Sequence, residues 1–336
     1  MSSKNSIRTM PRYVAEVDEG GLGAVDAVRV SERKSNLWLD AWRDLRGRWM
    51  FWASAVFIVF ILFVALFPTV FTEVPPNANC ILTIQTQEQA EEFGLPIGTK
   101  VSNHGPIAGH PMGFTKLGCD VFSRVIHGTS TSLSVGLIVT LLTATLGILV
   151  GAFAGYFGGW IDSLLMRVGD IFFAIPYVLA AVVIMSIFLK DRNIWVISLA
   201  IGFFAWPSTA RILRSEILRV RNSDFVMASE ALGLSKARTM FTHVLPNSIA
   251  PVIIISTIGL AGAITAEATL SFLGVGLPNN VYMSWGNDIS AAQSDLRTNP
   301  MTLIYPSIAL SVTVLSFILL GEVVRDALDP KARALR

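Results

Sequence analysis

The chain has 336 residues, 52% of them hydrophobic and 15% charged, with a mean hydropathy of +0.58 and a formal net charge of +2. Soluble domains carry about 25% charged residues, so this composition excludes a soluble globular protein and describes a polytopic membrane protein. The Lys and Arg residues lie beside the apolar runs instead of forming one basic patch, which leaves a nucleic-acid-binding reading without support.

Residues 1–30 are polar with little apolar periodicity and read as a disordered tail. No short apolar core with a small-residue cleavage site stands near the start, so no cleaved signal peptide is expected. From Ser31 the pattern changes. Trp38, Leu39, Trp42, Leu45 and Trp49 recur at helical spacing, with Arg33, Lys34, Arg43, Arg46 and Arg48 among them. Two readings stand: a basic amphipathic helix on the membrane surface, or the interfacial start of the first span.

Six spans are expected, each near the length of about 20 residues that a bilayer core requires. They cover residues 50–71, 133–156, 171–189, 194–213, 249–270 and 302–323. The remaining divisions are a tail over 1–49, an outer loop over 72–131, a membrane domain over 132–323 that contains a polar coupling region at 214–247, and a tail over 324–336. Trp206-Pro207 interrupts the fourth span, which membrane helices tolerate when neighbours satisfy the freed carbonyl.

Charge sets the expected direction. With both termini inside, only six of the 26 Lys and Arg residues fall outside: Lys100, Lys116, Arg124, Lys190, Arg192 and Arg297. The positive-inside rule weights short loops most heavily. Arg211, Arg214, Arg219 and Arg221 therefore vote most strongly and put the coupling region in the cytoplasm.

That region is the most informative stretch. Asp224 to Ala231 is helix-forming, Gly233 breaks it, a second helical run follows, and Leu245-Pro246-Asn247 is expected to stop it. Gly233 adopts positive φ without penalty and so turns the chain. So long a structured excursion between spans suggests a docking site; a purely structural hairpin is the bland alternative. In the second span Gly147, Gly151 and Gly155 fall at four-residue steps, on one face where another helix can approach. Gly259 and Gly262 repeat the pattern more weakly. Glu267 is an ionisable group inside the fifth span, which marks it either for a translocation path or for a structural hydrogen bond. Cys80 and Cys119 both fall in the outer loop, where they form a disulfide or remain free thiols. His104 and His110 lack the spacing and nearby carboxylate of a metal site. No phosphate-binding Gly-x-x-x-x-Gly-Lys-Ser/Thr loop occurs; Gly94 to Lys100 has the wrong spacing.

Several separated blocks together identify a resemblance. They are His110-Pro111-Met112-Gly113 with Leu117 to Arg124; Gly155-Tyr156-Phe157-Gly158-Gly159-Trp160-Ile161-Asp162; Glu267 to Gly276; and Val324-Arg325-Asp326-Ala327-Leu328-Asp329-Pro330. Over about residues 108–334 the chain resembles the C-type permease subunit of dipeptide and oligopeptide ABC importers, of the MetI-like fold. The resemblance implies an all-α membrane protein of the bacterial cytoplasmic membrane, with six transmembrane helices. It implies that Met227, Ala228, Ser229, Ala231, Leu232, Gly233, Leu245 and Pro246 contact a cytoplasmic ATPase, small residues letting the helix sit close to that partner. The implied partners are two ATPase subunits or domains, which bind ATP and Mg²⁺, a homologous B-type permease, and an extracytoplasmic peptide-binding protein. No cofactor is expected in this chain. Relatives of the same type carry nickel, glutathione or other peptide-like cargo, which is the runner-up reading.

Two departures stand out. The family's coupling pattern begins Glu-Ala-Ala; registered on Gly233 and Leu245-Pro246, that triplet falls on Met227, Ala228 and Ser229. Cys119 replaces the family's usual Arg. A membrane-embedded enzyme would need clustered polar groups at one depth, which the spans lack; a scaffold that recruits an ATPase is the other rival.

Overall fold

A computed structural model describes residues 37–77, 80 and 83–328. The expected disordered tail, with Arg33 and Lys34, lies outside the described residues, as do Asp329 and Pro330. Among the described residues the chain is helical, with three isolated β-bridges in the outer segment and no strand. Among the described residues five helices are long and apolar enough to cross a membrane, and a helix pair bent by 75° makes six if the pair is one span.

Helix α1 (Leu37–Arg46) is separate from α2 (Trp49–Leu66). Its inner face, Ala41 and Leu45, packs on Val323, Ala327 and Leu328 near the end of the last helix. Arg48 fixes the junction, donating to Asp44 at 2.6 Å and to Asp326 at 3.0 Å. Trp38, Leu39 and Trp42 stay exposed. The first span is shorter than expected, because Pro68 starts a 3₁₀ turn over Pro68–Val70.

An outer unit follows. Its short helix α3 (Gln87–Phe93) opens with a Thr86–Gln89 capping box and closes on Gly94 at φ 61°. Ile84, Phe93, Val101 and Phe114 form its small core. A disulfide between Cys80 and Cys119 joins its two ends.

Helix α4 (Val121–Phe157) has 37 residues and starts twelve positions before the expected second span. Arg124 and His127 lower the hydropathy of its first turns, so the sequence placed them in the loop. They are helical because Asp120 caps the start, accepting from Phe122 N at 3.1 Å, and because the polar side chains face inward partners. The chain turns at Gly158 and Gly159, both at positive φ.

The third expected span, 171–189, is corrected. It is two helices, α5 (Gly159–Ala174) and α6 (Tyr177–Ile187), bent by 75°. Pro176 disfavours the helical region for the residue before it, and Ile175 is accordingly extended at φ −93°, ψ 118°. Helix α7 (Ile194–Arg221) runs through Pro207 and two turns past the expected end. Trp206 is packed near Gly169, which holds the proline-containing turn against α5.

The coupling region contains α8 (Asp224–Ala231), α9 (Lys236–Thr239), a π-helical turn over Met240–Val244, and α10 (Leu245–Ser248). The expected Leu-Pro-Asn stop is therefore corrected: the chain stays helical through it. Pro246 has no N–H and crowds the carbonyl four residues earlier, and the wider π turn just before it relieves that conflict. Asn247 Nδ2 donates to His243 O at 2.6 Å, using a carbonyl close to the break. Helix α11 (Ala250–Phe272), the short α12 (Trp285–Ala292) and α13 (Met301–Leu328) complete the bundle.

The close pairing of α4 with α7 organises the core. A Cβ on Gly147 would lie 2.6 Å from Thr209 Cβ, one on Gly151 2.6 Å from Ala210 O, and one on Gly155 2.9 Å from Arg214 O. The glycine groove thus receives the α7 backbone itself. By contrast a Cβ on Gly259 or Gly262 would meet nothing within 4 Å, so these two are not helix-packing positions within this chain.

Candidate functional site

The coupling region divides into an inner and an outer face. Val226 and Ser229 of α8 point inward, onto a cluster with Ala152, Tyr156, Ile217 and Met240. Ser229 Oγ donates to Val226 O at 2.8 Å. Ser229 is corrected as a close-approach residue for a partner: its small size seats α8 on its own bundle. The outer face carries Phe225 (48% exposed), Met227 (53%) and Leu232 (81%), with Ala228 and Ala231 exposed beside them. Phe241, after α9, is also exposed. Large apolar side chains left open together on a helical segment mark an interaction surface.

Gly233 ends α8 in a Schellman arrangement: Leu234 N donates to Ser229 O at 3.2 Å and Gly233 N to Glu230 O at 3.0 Å. The glycine sits at φ 86°, a left-handed conformation that side chains with a Cβ resist. Leu245 is partly buried against the inner cluster, and Pro246 is exposed. Met227, Ala228, Ala231 and Leu232 thus share the outer face of the α8 segment, while Ser229 and Leu245 support it from within.

One polar link ties this surface to α4, and three more join the helices beneath it. Tyr156 OH donates to Glu230 Oε1 at 3.3 Å. Arg221 Nη1 donates to Tyr156 O at 2.8 Å. Arg214 grips Asp162 through two bonds of 2.5 and 2.6 Å, and Arg211 pairs with Asp170 at 2.6 Å while covering the Phe173 ring. Glu230 follows the coupling triplet directly, and its partner Tyr156 lies 74 residues away in the chain.

Glu267 is fully buried. Its Oε1 accepts from Ser271 Oγ at 2.9 Å and Ser284 Oγ at 2.8 Å, and its Oε2 from Ser132 Oγ at 3.4 Å. Ser284 in turn caps α12, accepting from Asn287 N at 3.1 Å. The carboxylate therefore joins α4, α11 and α12 from inside the chain. Its reading as a path-lining residue is corrected in favour of the structural one.

Beside it lies a cluster that sequence reasoning missed. Arg124 Nε donates to Asp288 Oδ1 at 2.7 Å, and the same guanidinium reaches Asn77 Oδ1 at 3.3 Å and Asn279. Arg124 is 5% exposed, so it is no loop cation but the clasp between the outer segment, α4 and α12. Among the described residues no group of three His, Cys, Asp or Glu side chains is placed to hold a metal.

A cavity of about 180 Å³ opens between α4, α6, α7 and α11. Thr140, Thr143, Ser208, Ser256, Gly259 and Gly262 lie on its wall, which carries hydroxyls and bare backbone but no charged group. This is where the two glycines without an internal neighbour are found.

Comparison with known proteins places these features in a family. Residues 147–334 match the model described as binding-protein-dependent transport system inner membrane component. Residues 36–91 match the N-terminal TM domain of oligopeptide transport permease C. The chain is 30% identical over 315 residues to the glutathione transport system permease protein GsiD of Escherichia coli O6:K15:H31, covering 94% of this chain and 97% of the relative. It is 34% identical over 230 residues to the dipeptide transport system permease protein DppC of Alkalihalophilus pseudofirmus, covering 68% and 75%. In fold it resembles a chain of the inward-facing MetNI methionine ABC transporter at TM-score 0.50 and 17% identity, covering 61% of this chain and 96% of that one.

Proposed function

The chain belongs to the family of binding-protein-dependent transport system inner membrane components, and we propose that within it this protein carries peptides or peptide-like solutes such as glutathione across the bacterial inner membrane. It is a multi-pass permease subunit of an ABC importer and not an enzyme. ATP and Mg²⁺ bind on partner ATPase subunits, two per transporter; a B-type permease completes the membrane pair; an extracytoplasmic binding protein delivers the cargo. The N- and C-termini and the coupling region face the cytoplasm, in keeping with the distribution of Lys and Arg.

The observation that carries this reading is the exposed apolar face of α8, set by the Gly233 turn and tied through Glu230 and Tyr156 to the end of α4. An ATPase groove covers Phe225, Met227 and Leu232. When the ATPases close, α8 pulls on α4 through Tyr156, and on α7 through the chain itself. Because α4 and α7 meet at backbone distance along the glycine groove, they move as one body. The hydroxyl-lined cavity beside Gly259 and Gly262 is the part of the path contributed by this chain. Its wall is mostly apolar, with Val139, Ile201 and Ile255 between the hydroxyls of Thr140, Thr143, Ser208 and Ser256; this suits a peptide backbone of varied sequence, because it offers hydrogen bonds and holds no ion fast.

Uptake by proteoliposomes containing the whole transporter and its binding protein tests the cargo. Accumulation of a labelled di- or tripeptide, competed by glutathione, supports the reading. ATP-dependent uptake of nickel alone, with no peptide accumulation, would replace it.

A further inference from the structure

We propose that α5 carries a binding site for an anionic phospholipid, with the headgroup phosphate on Arg167 and one acyl chain in the groove between α4 and α5. Trp160, Leu164, Arg167 and Ile171 follow one another at four, three and four residues, so they form a single stripe along the helix. The apolar members are open: Trp160 is 74% exposed, Leu164 50% and Ile171 65%. Arg167 is exposed among them and has no hydrogen bond or ion pair within the described residues. Its neighbours on α7 differ in this respect, since Arg211 and Arg214 are paired with Asp170 and Asp162 of α5. Those pairs place Arg167 at the basic end of the bundle, close to where headgroups lie.

Next to the stripe is a groove of about 350 Å³ lined by Leu149 and Phe153 of α4 and Trp160, Ile161 and Leu164 of α5, with no polar surface. The groove continues the apolar exterior of α4, where Leu141, Phe153 and Phe157 are exposed. An unneutralised guanidinium in such surroundings calls for a net negative partner. A phosphate diester matches its planar donor fork, and a zwitterionic headgroup would bring a competing ammonium. The wholly apolar groove favours an acyl chain over a protein segment, whose backbone polar groups would go unsatisfied there.

Native mass spectrometry of the transporter, purified with its co-purifying subunits into micelles holding equal amounts of phosphatidylglycerol and phosphatidylcholine, tests the site. Wild type should retain phosphatidylglycerol preferentially. Arg167→Gln should cut that preference about tenfold, the loss of one charge-assisted bond, and Arg167→Lys should keep most of it. Leu164→Trp, which fills the groove, should reduce retention of both lipids. An unchanged preference in Arg167→Gln overturns the proposal. So does loss of the second permease from Arg167→Gln particles with lipid retention intact, which would assign the stripe to a protein contact.

Discussion

The Tyr156 hydroxyl donates a hydrogen bond to Glu230 Oε1 at 3.3 Å, joining the last turn of α4 to the exposed coupling helix α8. Both partners sit at a boundary: Tyr156 is buried against the inner cluster, whereas Glu230 is at the surface. The bond gives α8 a polar attachment to α4 besides its chain connection to α7 and the packing of Val226. That matters here because Met227 occupies the position where the family has a glutamate.

Tyr156→Phe removes this bond while keeping the ring that packs in the cluster. A hydrogen bond to a carboxylate contributes about 1.5–3 kcal/mol; at 3.3 Å and beside solvent this one belongs at the weak end, so the fold should survive. Transport per ATP hydrolysed should fall about two- to tenfold, read as the ratio of uptake to phosphate release in proteoliposomes. An unchanged ratio would remove Tyr156 from the coupling route.

The glycine groove predicts a contrast between two spans. Gly151→Ala places a methyl carbon 2.6 Å from Ala210 O, a backbone atom that cannot move alone. Overpacking of this kind costs about 1–3 kcal/mol, and thermal stability in detergent should drop by several degrees. Gly262→Ala meets nothing within 4 Å and should leave stability unchanged while altering transport. Equal stability of both variants would show that α4 and α7 are not in contact as described.

Much of this arrangement is legible in the sequence, and the exceptions have physical causes. The four-residue glycine step is visible because 3.6 residues per turn brings those positions to one face. Hydropathy located the spans, but it averages over windows, so Arg124 and His127 hid the first turns of α4 and the apolar run around Pro176 hid the bend between α5 and α6. The inward face of Ser229 follows from its three-residue spacing to Val226 and could have been read. The Arg124–Asp288 and Glu267–Ser284 contacts could not, because nothing local says which face of a buried helix meets which loop.

Glu267 offers a test of structural against path-lining roles. Glu267→Leu leaves the hydroxyls of Ser132, Ser271 and Ser284 without their acceptor, each such loss costing about 1–3 kcal/mol, and should abolish stable expression. Glu267→Gln keeps an acceptor oxygen and should retain most stability and uptake. A fully stable Glu267→Gln protein with no uptake would return Glu267 to the path.

The Cys80–Cys119 disulfide joins residues 39 positions apart and holds the outer unit against the start of α4. Disulfides of this kind contribute about 2–4 kcal/mol. Cys80→Ser with Cys119→Ser should speed hydrogen exchange over residues 84–114 and leave α11 as slow as before. Protection unchanged in the outer unit would mean that its small core suffices without the bond.

The most direct test of the central account is co-purification of ATPase with the tagged full-length chain carrying Leu232→Asp. This variant charges the most exposed apolar residue of the coupling face without touching the inner cluster. The account predicts that wild type brings down the second permease and the ATPase subunits, and that Leu232→Asp retains the permease while losing the ATPase and its hydrolysis. Undiminished ATPase recovery and activity with Leu232→Asp would contradict docking at α8.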